Sequence, residues 1–271
     1  MTEPDFQLFS SLRYDPILNS LPVNTEAWDG DVKSSPFYML PYHRDRILQA
    51  AEHFKWTAAA DAIRGPDGFT RLLNKLTETI DTQSSKPLRV RVLLSKDGTV
   101  NVESNPTPES SKEALYPARI PPPKSAAKQI EVSPLTGGAL ELGNNDTVHG
   151  DPPKGNPYEV IPNTSKTAPS LYTSYKTTSR DMYDDARQRV GIKDPAARQE
   201  VLLVSDSGEI MEGSLTSPYF WREGKWTTPS VESGGQIGTT RRWALEKGYV
   251  NVPRLKDSQL NFQTVSALRA L

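Results

Sequence analysis

The sequence predicts an α+β fold in two lobes. Residues 6–104 interleave strand-like and helix-like patterns, whereas residues 200–229 form a run of short β-like segments with turn residues between them. The stretch between these halves, 105–169, is irregular and dense in proline and glycine, as in IPPPK (120–124) and GDPPKG (150–155). The expected division is a small N-terminal α+β lobe over 1–125 and a larger β-rich lobe over 126–271, with the irregular linker between. A cleft between two such lobes is the default place for a ligand.

The elements follow in order. FQLFSSLRY (6–14) reads as a strand, and 17–36 as a loop with Pro22, Gly30 and Pro36. Residues 42–63 read as one helix, because Ile47, Leu48, Ala51 and Phe54 fall at helical spacing. GPDGF (65–69) is expected to break it. A second amphipathic helix over 69–81 places Phe69, Leu72, Leu73, Leu76 and Ile80 on one face. LRVRVLLS (88–95) and VNVES (100–104) alternate as strands around Asp97-Gly98, a strong hairpin signal. IEVSPL (130–135) is a candidate strand inside the linker. A helix is expected over 179–190, then a meander of strands at 200–205, 209–213, 217–223 and 225–229, with turns at 206–208 and 223–224. A last helix starts near Thr239 and stops at Gly248.

Composition excludes several functions. Hydrophobic residues make up 35% of the chain and 23 residues are proline, which fits long loops around an ordinary core. The 32 basic and 33 acidic residues nearly cancel, so nucleic-acid or membrane attraction has no support. The absence of cysteine removes disulfides, thiolate metal sites and a thiol nucleophile, and fits a reducing compartment. MTEPDFQLFSSLRYD lacks the basic start and apolar stretch of a secretory leader, and no run approaches the ~20 apolar residues of a membrane span; a cytoplasmic protein is expected. His43, His53 and His149 show no paired metal-ligand spacing, so no metal site is expected.

The most informative region is 200–248. There Gly234, Gly235 and Gly238 lead into Thr239, Thr240 and Arg241 at a helix start. Backbone N–H groups at a helix N-terminus favour a phosphate, glycines permit close approach, and threonine hydroxyls add hydrogen bonds. By itself this motif serves equally well as a phosphate cradle or as a strand-to-helix turn capped by threonine.

The wider pattern is more specific. Glu212-Gly213-Ser214, Pro218-Tyr219-Phe220-Trp221, Thr228-Pro229 and Gly238-Thr239-Thr240-Arg241 together resemble the class IV pattern of pyridoxal-phosphate enzymes. That group holds branched-chain and D-amino-acid aminotransferases and 4-amino-4-deoxychorismate lyase. The resemblance implies fold type IV and pyridoxal 5'-phosphate as cofactor, with Glu212 at the pyridine nitrogen and Gly238, Thr239 and Thr240 at the phosphate. SYKTTSRDMYDDAR (174–187) is similar to the family's lysine segment and implies Lys176 as the Schiff-base lysine, 36 positions before Glu212. Ser179, Arg180 and Arg187 fit the layout of the lyase branch. YHRDRIL (42–48) resembles a helix whose arginine contacts the phosphate; Arg46 matches, with Arg44 as the near alternative. Phe9-Ser10-Ser11-Leu12-Arg13 resembles an active-site strand. On it Ser11 and Arg13 are candidates to face substrate, or are simply polar residues on its outer face. Tyr172, Tyr175 and Tyr183 stand near Lys176, either walling the cofactor or packing.

Overall, the resemblance lies nearest the fungal-type 4-amino-4-deoxychorismate lyases. It implies conversion of 4-amino-4-deoxychorismate to 4-aminobenzoate and pyruvate, a step toward folate, with Lys176 as anchor and general base. The alternatives are a class IV transaminase using the same residues and a non-catalytic homologue. A homodimer acting on a small molecule is implied by the resemblance alone. The chain departs from the family pattern in three places. It lacks a strand before residue 6, it carries Gln236 where an aliphatic residue is usual, and its tail YVNVPRLKDSQLNFQTVSALRAL lacks the expected substrate loop. The expectation is a shortened C-terminal end.

Overall fold

The structure, a computed structural model, describes residues 5–28, 32–120, 159–194, 197–222, 225–252 and 265–268. The strand expected at 130–135, the turn at 223–224 and His149 lie outside them.

The first strand, β1 (Leu8–Tyr14), is buried along its whole length and pairs antiparallel with β2 (Leu88–Leu94), which pairs with β3 (Val100–Pro106). The β2–β3 turn follows the Asp97-Gly98 signal: Gly98 has φ +92 and the Asp97 carboxylate accepts the Thr99 N–H at 2.9 Å. Alternation along β1 sends Leu8, Leu12 and Tyr14 into a core with Ile47, Leu72, Leu76, Val90 and Val92. The register sets Ser11 opposite Arg91 and Arg13 opposite Arg89.

The helices over this sheet differ from expectation in two ways. The single helix expected at 42–63 is two, α1 (Leu40–His53) and α2 (Thr57–Ile63). The chain reverses between them at Lys55, whose φ of 58 a continuous helix does not permit. GPDGF is no break but the start of α3 (Gly65–Thr79). Pro66 suits a first turn, Asp67 faces the positive end of the helix, and Gly68 lies so close to α2 that a Cβ would meet the Ile63 carbonyl carbon at 2.2 Å.

The irregular stretch ends in a strand that was not expected, β4 (Glu159–Thr167), which runs parallel to β5 (Gln199–Ser205). Pro162 and a register shift between Pro162 and Lys166 erase the alternation that would announce it. A one-turn helix, α4 (Lys112–Leu115), precedes β4. Another, α5 (Leu171–Ser174), and then α6 (Asp181–Arg189) connect β4 to β5. β6 (Ile210–Gly213) completes this second sheet in the order β4-β5-β6. The expected meander therefore splits: β7 (Ser217–Arg222), β8 (Lys225–Thr227) and β9 (Val265–Leu268) form a third sheet, ordered β8-β7-β9. Helix α7 (Thr239–Glu246) follows the glycine-rich turn and ends before Gly248, at φ +72.

Buried Glu200 explains the split. Its carboxylate accepts the N–H groups of Ser214 (2.9 Å) and Leu215 (3.1 Å) and the hydroxyls of Ser214 (2.6 Å) and Thr216 (2.8 Å). These bonds turn the chain out of β6 before it can pair back. Replacing Glu200 with alanine leaves those donors unpaired in the interior. We expect a loss of about 2–4 kcal/mol, in the range for a broken buried network, read as a lower midpoint in denaturant unfolding.

Candidate active site

Lys176 sits in a short extended segment clamped from both ends. Its carbonyl accepts the Phe9 N–H at 2.9 Å and the Thr178 N–H reaches the Gln7 carbonyl at 2.9 Å, so the segment pairs with the start of β1. Two residues earlier, the Ser174 carbonyl accepts the Ile237 N–H at 3.1 Å, tying the same segment to the glycine-rich turn. The side chain is half-buried and lines a cleft of about 580 Å³, with Nζ 5.7 Å from the centre of the Phe9 ring. Burial lowers its pKa well below the ordinary lysine value, and Arg46, Arg180 and Arg89 push the same way; among the described residues only Glu212 opposes them.

Glu212 is buried near the end of β6 and lines the same cleft. Its carboxyl accepts the Tyr183 hydroxyl at 2.5 Å. Burial pushes its pKa up to about 8, against the pull of Tyr183, the Gln236 N–H, Arg180 and Lys176. Ser11, Arg180, Ser214 and Gln236 also line the cleft. Gly235 is required beside it, since a Cβ there would meet the Met211 carbonyl oxygen at 2.2 Å.

Arg46 lies on the other side of β1. It is 4% exposed, donates to the Ser10 hydroxyl, and approaches His43 Nδ1 at 3.5 Å. Ser10 is also 2.7 Å from His43 Nδ1. The serine hydroxyl accepts from Arg46 and shares a second hydrogen bond with His43 Nδ1, since it can donate once and accept twice. Burial lowers the pKa of His43 and brings that of Arg46 down to about 10. Arg46 has no carboxylate partner among the described residues, and its Nε has no acceptor. A buried guanidinium without an anion is a costly arrangement that a bound anion would relieve. Arg44 instead pairs with Asp45 at 2.9 Å and lies over Phe69 toward α3.

The turn at Gly238–Thr240 caps α7, which is fastened to α1 through Arg242–Asp45 (2.8 Å) and Tyr42–Glu246 (2.5 Å). Gly238 is held tightly: a Cβ there would meet Ser217 Oγ at 2.7 Å. The N–H groups of the first helical turn are left for another acceptor, as at any helix start. Thr239 is buried; Thr240 borders a second cavity of about 190 Å³. Arg13 lies on that second cavity and pairs with Asp15 at 2.7 Å, away from the cleft that Ser11 lines.

The structure thus brings Lys176, Glu212 and Ser11 onto one cleft, sets Arg46 within electrostatic reach of Lys176, and joins the Gly238–Thr240 turn to the lysine segment by backbone. Sequence reasoning missed Arg89 and Arg91 on the cleft wall, although the alternation of LRVRVLL put both on one strand face. It also missed Ser10 and His43 beside Arg46 and Tyr183 as the partner of Glu212, for which spacing gives no signal. No group of histidine and acidic side chains among the described residues could hold a metal ion, and no described helix is long and apolar enough to cross a membrane.

Comparison with known proteins gives the family and the fold. The family model described as Amino-transferase class IV matches residues 27–267. Aminodeoxychorismate lyase of Saccharomyces cerevisiae is 24% identical over 240 residues, covering 79% of this chain and 59% of that protein. The chain therefore spans less than two thirds of that relative's length. The Schizosaccharomyces pombe protein named "Putative aminodeoxychorismate lyase" is 26% identical over 229 residues, covering 84% of this chain and 74% of that one. The PLP-bound form of a hypothetical aminotransferase from Mycobacterium tuberculosis superposes with a TM-score of 0.56 at 16% identity, over 96% of this chain and 76% of that one. That likeness shows a shared α+β fold.

The raised pKa of Glu212 has a signed consequence. Its folded value, about 8, lies above the unfolded one, 4.5, so the folded state holds the extra proton and this group's contribution to stability falls as pH rises through that window. Glu212→Gln removes the contribution. In thermal melts of cofactor-free protein, the variant should gain on wild type between about pH 5 and 8; a pH-independent difference would contradict a carboxyl held protonated.

Proposed function

We propose that this chain, which belongs to the amino-transferase class IV family, is a pyridoxal-phosphate-dependent lyase that converts 4-amino-4-deoxychorismate to 4-aminobenzoate and pyruvate. The observation that carries the reading is Lys176 and Glu212 on one cleft, with Arg46 buried on the other face of β1 and without a carboxylate partner among the described residues. The names borne by the two fungal relatives support the lyase over a transaminase.

The residues fit the cofactor. Arg46, the first-turn N–H groups of α7, Gly238, Thr239 and Thr240 would hold the phosphate. Glu212 would hold the pyridine nitrogen, and Lys176 would carry the aldehyde carbon. When bound, pyridoxal phosphate supplies an electron sink for the substrate carbon that loses its proton. The rest falls to the chain. Burial and the neighbouring arginines pull the Lys176 pKa well below the ordinary lysine value, which favours its free-amine form. In that form its Nζ takes the proton from the amine-bearing carbon of the substrate. Loss of that proton lets the enolpyruvyl ether leave as pyruvate, and the ring becomes aromatic. Tyr183 fixes the Glu212 carboxyl through its hydroxyl, which would orient it toward the ring nitrogen of the bound cofactor. Ser11 faces the substrate from β1. A homodimer is part of the proposal, supported by the family resemblance.

Purified protein given 4-amino-4-deoxychorismate and cofactor should release pyruvate in step with 4-aminobenzoate, and Lys176→Ala should lower the rate by at least about 10³-fold, as for loss of a covalent anchor that is also the base. Amino transfer to an oxo acid without pyruvate would assign the transaminase reaction instead. Neither product would leave a non-catalytic homologue.

A further inference from the structure

The cleft that holds Lys176 is strongly cationic. Arg89, Arg91, Arg180 and Lys176 line it, against the single carboxyl of Glu212, which Tyr183 already engages. Two of the guanidinium groups are fixed on different walls. Arg91 projects from β2 with its Cζ 4.4 Å from the centre of the Phe9 ring, so it shares that ring with Lys176 Nζ at 5.7 Å. Among the described residues its one ion pair, to Glu103 at 3.5 Å, is with a carboxylate 54% exposed, and its buried Nε has no partner there. Arg180 comes from a different element, the N-cap of α6. It stacks on Tyr183 at 4.3 Å and donates to the Ser214 carbonyl at 2.6 Å, which leaves its remaining N–H groups toward the cleft. Neither is needed to anchor the cofactor.

We propose that Arg91 and Arg180 are paired carboxylate anchors that make this cleft selective for a substrate with two carboxylates. The inference rests on the lyase reading, whose substrate has that chemistry: a ring carboxylate opposite the amine, and a second carboxylate on the enolpyruvyl ether beside the amine. With the amine at Lys176, Arg180 takes the carboxylate beside it. Arg91, which shares the Phe9 ring with Lys176, takes the one at the far end of the substrate ring. Guanidinium groups suit both because they bind a carboxylate through two parallel N–H bonds, and their hold on Phe9 and Tyr183 orders them in advance. A monocarboxylate fills one anchor and leaves the other guanidinium desolvated, so the site discriminates by loss as well as by gain.

The test uses the cofactor-loaded protein and two non-reacting probes, 3-(carboxymethoxy)benzoate with two carboxylates and 3-methoxybenzoate with one. Binding is followed by the change in cofactor absorbance. Wild type should prefer the dicarboxylate by roughly 10- to 100-fold, the range for one charge-assisted pair. In protein that still takes up the cofactor, Arg91→Gln and Arg180→Gln should each collapse that preference to within a few-fold, and Arg91→Lys should restore part of it. Equal binding of the two probes by wild type overturns the proposal without needing any variant to fold. A preference that survives both glutamine substitutions overturns the assignment of these residues. The lyase reading fails separately: a protein that shows the preference but releases no pyruvate keeps its anchors and loses its reaction, while one that releases pyruvate with no preference keeps its reaction and loses its anchors.

Discussion

The site depends on one electrostatic constraint: an amine buried among more cations than anions. Arg46, Arg180 and Arg89 act on Lys176, and among the described residues only Glu212 opposes them. Such a cluster is costly in a folded protein unless something offsets it. Two adjustments are visible. The lysine pKa falls, which favours the neutral amine, and the Glu212 pKa rises, which favours the neutral carboxyl. What remains is a surplus of guanidinium groups, and a surplus of that kind is matched by anionic ligands. Phosphate and carboxylate are the two anions the proposed reaction brings to the site.

The fold holds this arrangement through backbone more than through side chains. The segment carrying Lys176 pairs with β1 on one side and with the glycine-rich turn on the other, so the lysine is placed by three peptide hydrogen bonds. Alternation along β1 then separates two environments only a strand's thickness apart. Ser10 faces α1 and meets Arg46 and His43, while Phe9 and Ser11 face the cleft. Glu200 does the complementary work in the second half by turning the chain after Ser214, which sets Gly213 and Ser214 on the cleft wall.

The sequence was most legible where chemistry and spacing coincide. Lys176 and Glu212 stood out because a motif of some length frames each, and the Asp97-Gly98 hairpin because its turn chemistry is local. Legibility failed where distant residues decide the outcome. β4 is polar, carries Pro162 and shifts register, so only its partner β5 makes it a strand. The split of the meander follows from Glu200, fourteen positions before the Ser214 that it holds. GPDGF reads as a break from its glycines, but Pro66 and Asp67 fit a helix start equally well, and packing of Gly68 on Ile63 decides between them. Arg13 shows the limit of parity: it shares a strand face with Ser11, yet Asp15 draws it to the neighbouring cavity. Arg89 and Arg91 were readable in principle, since LRVRVLL places both on that same face.

The claim on which the account turns is that Lys176 carries the cofactor. The direct measurement is borohydride reduction of the protein with pyridoxal phosphate, followed by digestion and mass mapping of the fixed phosphopyridoxyl group. The account predicts a single modified site at Lys176, with the label lost in Lys176→Ala and weakened in Arg46→Gln. A label carried mainly by another lysine, or one that survives in Lys176→Ala, would contradict it.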